Sequence, residues 1–203
     1  MGRPSIAAER RLQIIRAASA SIAEVGLPST TLERIAAASG LSRSHIRHFL
    51  GNRDDIIEAV WAATITPYLE DTAAAIQNSD SDRALHSLVE YLFGPRLEAN
   101  ADDPVIEAIL NGAAQDAQLQ GKVYEAYGRL EGLLVQAIEA TAPGVAEDVA
   151  ERYAYSLLCM VMGGSSLSRL PFPASRREGA RRVAFDMIDA LRQKSDLAAP
   201  RNG

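Results

Sequence analysis

The chain has 203 residues, 47% of them hydrophobic, with three histidines, one cysteine and a formal charge of −5. That length suits one small domain plus a larger one, or a single large helical domain, and one cysteine excludes both an intrachain disulfide and a cysteine-based metal site. No apolar run approaches the roughly eighteen residues of a membrane span, and the N-terminal stretch lacks the apolar core of a signal peptide, so a soluble, cytoplasmic protein without a membrane partner is expected.

The charge is unevenly spread. Residues 1–60 hold eight arginines against six acids, a net of +2, while residues 61–203 hold thirteen basic against twenty acidic residues, a net of −7. Four arginines and no acid fall between Arg34 and Arg53. A local basic patch on an acidic protein suits a specific nucleic-acid binder, because attraction to phosphate acts through the docking surface while the remainder discourages indiscriminate association.

In chain order, residues 1–8 read either as a basic arm, with Arg3 beside Pro4 followed by Arg10 and Arg11 reaching phosphates or a minor groove, or as a solvated tail. Residues 11–25 form a first helix with Leu12, Ile15, Ala18 and Ile22 at helical spacing. Thr30 and Glu33 form the S/T-x-x-E capping box of a second helix striped by Leu32, Ile35 and Ala36 and ended by Gly40. Ser42 caps a third, in which Leu41 and Ile46 can close a hydrophobic staple and Phe49 and Leu50 share the inward face. Its other face presents Ser44, His45, Arg47 and His48, with Arg43 at the edge. Two short helices joined by a glycine turn, the second displaying cations, form a helix-turn-helix that places its second helix in the major groove of double-stranded DNA.

These residues resemble a known family. The run "RLQIIRAASASIAEVGLPSTTLERIAAASGLSRSHIRHFLGNRDDIIEAV" is similar to the DNA-binding domain of the TetR family of bacterial repressors. The likeness rests on Gly26, on "T-x-x-x-I-A" over Thr31 to Ala36, on "A-x-x-G-[VL]-S" over Ala37 to Ser42, and on Leu50, Arg53 and Ile56 in the pattern "F-x-x-[KR]-x-x-[LI]". An aliphatic replaces the usual aromatic at Leu50. Arg47 stands where a tyrosine is common, and in lacking that tyrosine the chain resembles the choline-responsive BetI branch. The resemblance implies an all-α protein: a helix-turn-helix DNA-binding domain over residues 1–68, with the motif at about 31–50, and a larger helical effector-binding and dimerisation domain over 69–203. It also implies a homodimeric repressor, released from a palindromic operator by a small molecule. By the same resemblance Arg53, in place of the family's lysine, contacts the DNA backbone, the alternative being an exposed arginine paired with a neighbouring acid; Thr31 is expected to clamp the backbone on the other side of the recognition helix.

Asn52 opens a fourth helix with Asp54 and Asp55 in its first turn, where the helix dipole favours them and disfavours Arg53. Ile56, Val60, Trp61, Ile65, Tyr68 and Leu69 give it a broad apolar face that Pro67 should kink or break, and such a helix is a natural lever. Every later segment also reads as helix: one opened by Ser81, a short one from Asp103 and Pro104, a long one over 115–140 and two more over 145–167 and 175–194. Gly121, Gly128 and Gly132 inside the long helix suggest close approach of a neighbour or room for a ligand.

His86 is the one histidine outside the recognition helix, and Glu98, Asp102, Asp103 and Glu107 lack the Glu-x-x-His spacing of bundle metal sites, so no catalytic residue, metal or cofactor is expected. A pocket for an apolar or amphipathic effector is expected instead. Trp61 and Tyr68, two turns apart, are its first candidates, with Tyr91, Phe93, Tyr124 and Tyr127 around the centre of the larger domain. The run from Tyr155 to Gly164 and the final helix with Val183, Phe185, Ile188 and Leu191 carry more apolar surface than a monomer needs, and two copies of the pair would make a four-helix dimer interface. Cys159, within that run, reads as a buried, inert thiol.

Overall fold

Apolar residues at three- and four-residue spacing, punctuated by capping side chains and glycines, produce helices and no strand among the described residues, which in the computed structural model are 5–94, 103–168 and 170–198. The helices are α1 (Ile6–Ser29), α2 (Leu32–Ser39), α3 (Arg43–Phe49), α4 (Arg53–Gln77), α5 (Ala84–Leu92, preceded by the 3-10 turn Ser81–Arg83), α6 (Asp103–Ala113), α7 (Ala117–Thr141), α8 (Glu147–Leu167) and α9 (Ala174–Ala198). The described residues fall into two compact units, one from 1–67 and 101–124 and the other from 68–100 and 125–203. Residues 103–124 pack with the first unit. The reason is packing: α6 lies against α1, and a Cβ on Gly112 would collide with the buried side chain of Leu27.

In the first unit α1 packs on α2, α3 and α6. Its buried face is Ile14, Ala17, Ala18, Ser21 and Ile22, so the expected stripe is out of phase at its start: Leu12 is exposed and Ile15 half-buried. Ile35, Ile46, Ile56 and Val60 complete a core of fully buried side chains, each worth roughly 1.5–3 kcal/mol. Gly26, at φ 77°, breaks α1 one turn before its end and lets residues 27–29 turn away from the axis. The α2 cap is also displaced by one residue. Thr31 caps α2, its side chain accepting from the Arg34 N–H, whereas Thr30 is buried and donates to the Gly26 carbonyl at 2.9 Å. The longer turn created by Gly26 turns Thr30 inward and leaves Thr31 at the helix mouth.

Asn52 begins α4 with a reciprocal cap: its Oδ1 accepts from the N–H groups of Asp54 and Asp55, and its own N–H donates to Asp55 Oδ2 at 2.7 Å. The helix runs unbroken through Pro67, against the expected break. Within the first unit Glu58 ties α4 to α7 through Lys122 at 3.3 Å and Gln118.

In the second unit α9 packs against α5 and α8. Leu85, Leu88, Leu134, Ile138, Leu157 and Ile188 are fully buried there. Buried Thr141 accepts from the Leu85 N–H at 3.2 Å and so fastens the end of α7 to the start of α5. Arg181 joins α9 to α5 through Glu90 at 3.0 Å while lying over the Phe185 ring, and His86 stacks on the same ring at 4.5 Å, an ordinary packing role. Cys159, read as buried, is exposed, because the apolar run of α8 goes all the way round the helix and only one side faces the unit's core.

Among the described residues a Cβ at Gly121, Gly128 or Gly132 would meet nothing within 4 Å, so no described neighbour approaches α7 closely there, and room for a ligand is the expectation that stands. Gly40, by contrast, closes the α2–α3 turn at φ 67° in open space, where only backbone strain opposes a side chain. Gly40→Ala should therefore lower stability by about 1–2 kcal/mol, and Gly121→Ala should raise it by up to about 1 kcal/mol. Urea unfolding of both variants beside the parent checks the opposite signs.

Candidate nucleic-acid interface

The exposed face of α3 results from two local decisions. Ser42, in extended conformation, accepts from the His45 N–H and starts the helix, and Ile46 turns fully inward as its anchor. With Ile46 buried and Phe49 half-buried, the helical repeat leaves Arg43, Ser44, His45, Arg47 and His48 all exposed, the set expected from the sequence. The ends of the motif are held from α1. Arg11 donates to the Phe49 carbonyl at the close of α3, and Gln13 Nε2 donates to the Ser39 carbonyl at the close of α2, both at 2.6 Å. Arg11, considered above as part of a phosphate-reaching arm, thus anchors α3. Arg3 lies outside the described residues.

Arg43 is engaged on the surface. Its Nη1 lies 2.6 Å from Glu33 Oε1, both side chains more than 60% exposed, so the first cation of α3 is bridged to the first turn of α2. The Glu33 carboxyl is held below its usual range, chiefly by a backbone hydrogen bond and then by Arg43. An exposed pair of this kind adds little stability but sets the direction in which the guanidinium points. Glu33 had been read only as part of a cap; its distance of ten residues from Arg43 gives no local signal of the bridge.

Arg53 has a different environment from its expected one. Its Nε donates to the Thr30 carbonyl at 2.7 Å and its Nη2 to the Leu27 carbonyl at 2.6 Å, with Nη1 near Asp54 at 3.4 Å. The cation unfavourably placed at the start of α4 donates to the Thr30 carbonyl and joins the Thr30 N–H on the Leu27 carbonyl, so it ties α4 to the turn after Gly26. Thr31 remains exposed at the start of α2.

The aromatic candidates for an effector pocket are dispersed. Trp61 is buried in the first unit, at 3% exposure. Tyr68, Tyr91 and Tyr127 are half-buried in the second, where the Tyr91 hydroxyl reaches Asp71 at 3.4 Å and burial pushes the Tyr127 phenol up to about 12. Tyr124 belongs to the first unit and is 80% exposed, so it does not face the centre of the larger domain as expected. The buried line of α7 runs through Val123, Ala126 and Leu130, and Tyr124 sits one helical step outside it. None of these five lines the cavity of about 50 Å³ at the end of α5 or the groove of about 300 Å³ between α8 and α9, whereas Phe93, the sixth aromatic expected near the centre, lines the smaller one.

Two helices across a glycine turn, the second seated by one isoleucine and presenting its polar and cationic side chains outward, define a helix-turn-helix protein. Residues 14–60, running from α1 into α4, match the family described as bacterial regulatory proteins, tetR family. It is 41% identical over 78 residues to the HTH-type transcriptional regulator BetI 2 of Chromohalobacter salexigens, covering 37% of each chain. It is 35% identical over 107 residues to the HTH-type transcriptional regulator BetI of Burkholderia mallei, covering 49% of this chain and 48% of that one. The chain thus spans half or less of the length of these curated relatives. Among solved structures it resembles a transcriptional regulator from Pseudomonas aeruginosa PAO1 at a TM-score of 0.80, 19% identity and 91% of each chain. It also resembles a transcriptional regulator from Saccharomonospora viridis in complex with choline, at 0.72 and 18% identity over 89% of this chain and 96% of that one. At these identities the likeness is one of fold, and it extends over both units. No described helix is long and apolar enough to cross a membrane.

Arg53→Ala should destabilise the first unit by about 1.5–3 kcal/mol, since it removes two hydrogen bonds from a charged donor, although the Leu27 carbonyl keeps the Thr30 N–H. Arg53→Lys should not restore the loss, because an ammonium cannot present the guanidinium fork to both carbonyls. Urea unfolding followed by the fluorescence of Trp61, buried in the same unit, measures the effect.

Proposed function

We propose that the chain is a DNA-binding transcriptional regulator, a homodimeric repressor that leaves a palindromic operator when a small apolar or amphipathic effector binds. The observation that carries the DNA-binding part is the α3 surface: Arg43, Ser44, His45, Arg47 and His48 stand exposed on one side of a helix whose other side is fixed by Ile46. Arginine can pair with the O6 and N7 of guanine or with phosphate, and serine and histidine can bond to base edges. Thr31 and Arg53 flank this surface on the backbone side; Arg53 reaches phosphate only with donors not already committed to Leu27 and Thr30.

The dimer reading is supported by the outer face of α8 and α9, where Tyr155, at 61% exposure, together with Cys159 and Val183 leaves apolar surface open to solvent. Twofold packing of two such pairs would cover it. The relatives' names and the family support a regulator over an enzyme.

Arg47→Ala should weaken operator binding by about 1–3 kcal/mol and relax preference at one base position if the side chain reads a base, or weaken all sequences alike if it touches phosphate. Selection of the bound sequence from a random pool, followed by fluorescence-anisotropy titration of Arg43→Ala, Arg47→Ala and the double variant, tests this. Undiminished binding by all three would sink the assignment. Sedimentation at micromolar concentration should give twice the chain mass, and the selected site should carry half-sites spaced by one helical turn, roughly 34–36 Å, or a multiple of it.

A further inference from the structure

Arg43 and Arg47 stand one turn apart on the exposed side of α3, but their surroundings differ. Arg43 Nη1 donates to Glu33 Oε1 at 2.6 Å, a bridge from the first residue of α3 back to the first turn of α2. No such bridge is made by Arg47 among the described residues. Glu33 is thus an acid set against the recognition surface. A negative charge there repels phosphate whatever the sequence, so it costs affinity for all DNA.

The bridge is held from both ends. Glu33 follows the N-cap Thr31, and its carboxyl is kept below the usual range by a hydrogen bond from its own backbone, then by Arg43, with Thr31 adding least. Arg43 follows the Ser42 cap, and Gly40 closes the turn between the two helices at φ 67°. Gln13 and Arg11 of α1 hold the closing carbonyls of α2 and α3, both at 2.6 Å. The two helices therefore share one support, and the distance from Glu33 to Arg43 is set by that support as well as by two flexible side chains.

A bridged arginine has different chemistry from a free one. The donors of a guanidinium lie in one plane, and Glu33 takes an N–H of Nη1. The fork formed by Nε and Nη2 stays available, and this edge can meet O6 and N7 of guanine in bidentate fashion. Holding the plane at Nη1 removes rotamer freedom that a long side chain otherwise loses on binding, and it restricts the acceptors to those lying in that plane. A phosphate oxygen can be approached from many directions; a guanine edge cannot.

We propose that Glu33 is a specificity-determining residue of the α3 surface: by holding Arg43 it aims the remaining fork at one guanine, and by its charge it penalises sequences that lack that guanine. The proposal rests on the DNA-binding reading above and adds to it the base that Arg43 reads. Glu33 is a positioning residue, since it acts through Arg43.

The test compares the full-length parent with Glu33→Gln, Glu33→Asp, Arg43→Ala and the double variant Glu33→Gln with Arg43→Ala. For each, the preferred duplex is selected from a random pool. Anisotropy titration at several salt concentrations then measures affinity for the parent's duplex, for one with the guanine replaced by adenine, and for a scrambled duplex. The parent should select a guanine at one position of the half-site, and Arg43→Ala should lose that preference. Glu33→Gln should bind the scrambled duplex several-fold more tightly, with a salt dependence steeper by about one unit as the released Arg43 finds a phosphate. Its discrimination for the guanine should fall about tenfold. Glu33→Asp keeps the charge on a shorter side chain, so it should lose discrimination without the gain on the scrambled duplex. In the Arg43→Ala background, Glu33→Gln should leave discrimination at that position unchanged. Parent-like discrimination in Glu33→Gln overturns the proposal. So does an equal loss of affinity for all duplexes with a lowered melting temperature, which would make Glu33 a cap of α2 and nothing more. A parent that selects a sequence in which Arg43→Ala alters no position overturns the guanine assignment and leaves the regulator standing, whereas a parent that selects no sequence overturns the DNA-binding reading itself.

Discussion

The first unit depends on how the turn at residues 26–31 is held. Gly26 ends the straight part of α1, and in the turn that follows the Leu27 carbonyl accepts from the Thr30 N–H at 3.2 Å and still has room for a second donor, as does the Thr30 carbonyl for its own. The Arg53 guanidinium supplies both from the start of α4, while the side chain of Leu27 is buried against Gly112 of α6. One short turn therefore joins four helices, and α2 leaves it in the direction that lets Ile35 and Ile46 reach the α1 face. The orientation of α3 follows from that junction, with Arg11 and Gln13 adjusting it by holding the last carbonyls of α3 and α2.

This arrangement separates two uses of arginine that are indistinguishable in composition. Arg11 and Arg53 donate to main-chain carbonyls, Arg43 is steered by a carboxylate across the turn, and Arg47 projects from the exposed side of α3. A net charge counted over residues 1–60 treats all of them as attraction for phosphate. The geometry assigns part of that charge to internal support, so the surface available to nucleic acid is smaller and more directional than the count implies.

In the second unit the same residue type marks another boundary. Arg181 is enclosed by Glu90, Glu178 and the Phe185 ring, and so fastens α9 to α5. Arg176 and Arg177, one turn earlier, line an apolar groove at the helix start. The spacing is that of one helical turn, yet one position faces a neighbouring helix and the others face a cavity. A regulator of this architecture would respond to an effector through whichever cavity distinguishes its two states, since a ligand shifts an equilibrium only by its differential affinity.

By itself the sequence determined the helical class, the helix-turn-helix and the presented face of α3. These follow from short-range rules: Ser42 caps three residues on, Gly40 takes the left-handed turn, and Ile46 selects the buried side by its spacing. The same rules marked α8 and α9 as apolar; of the residues concerned, Tyr155, Cys159 and Val183 stay exposed while Ile188 and Leu191 are buried. Only tertiary structure decided which threonine caps α2, why Arg53 stands at the start of α4, that residues 103–124 pack with the first unit, and that Cys159 and Tyr124 face outward. The choice of threonine follows from the Gly26 turn four residues back, and the others depend on a partner ten or more residues away or on the side of a helix left uncovered by its neighbours. Helical periodicity says that a face is apolar; it does not say which of several apolar faces another helix will cover, nor which carbonyl an arginine will find.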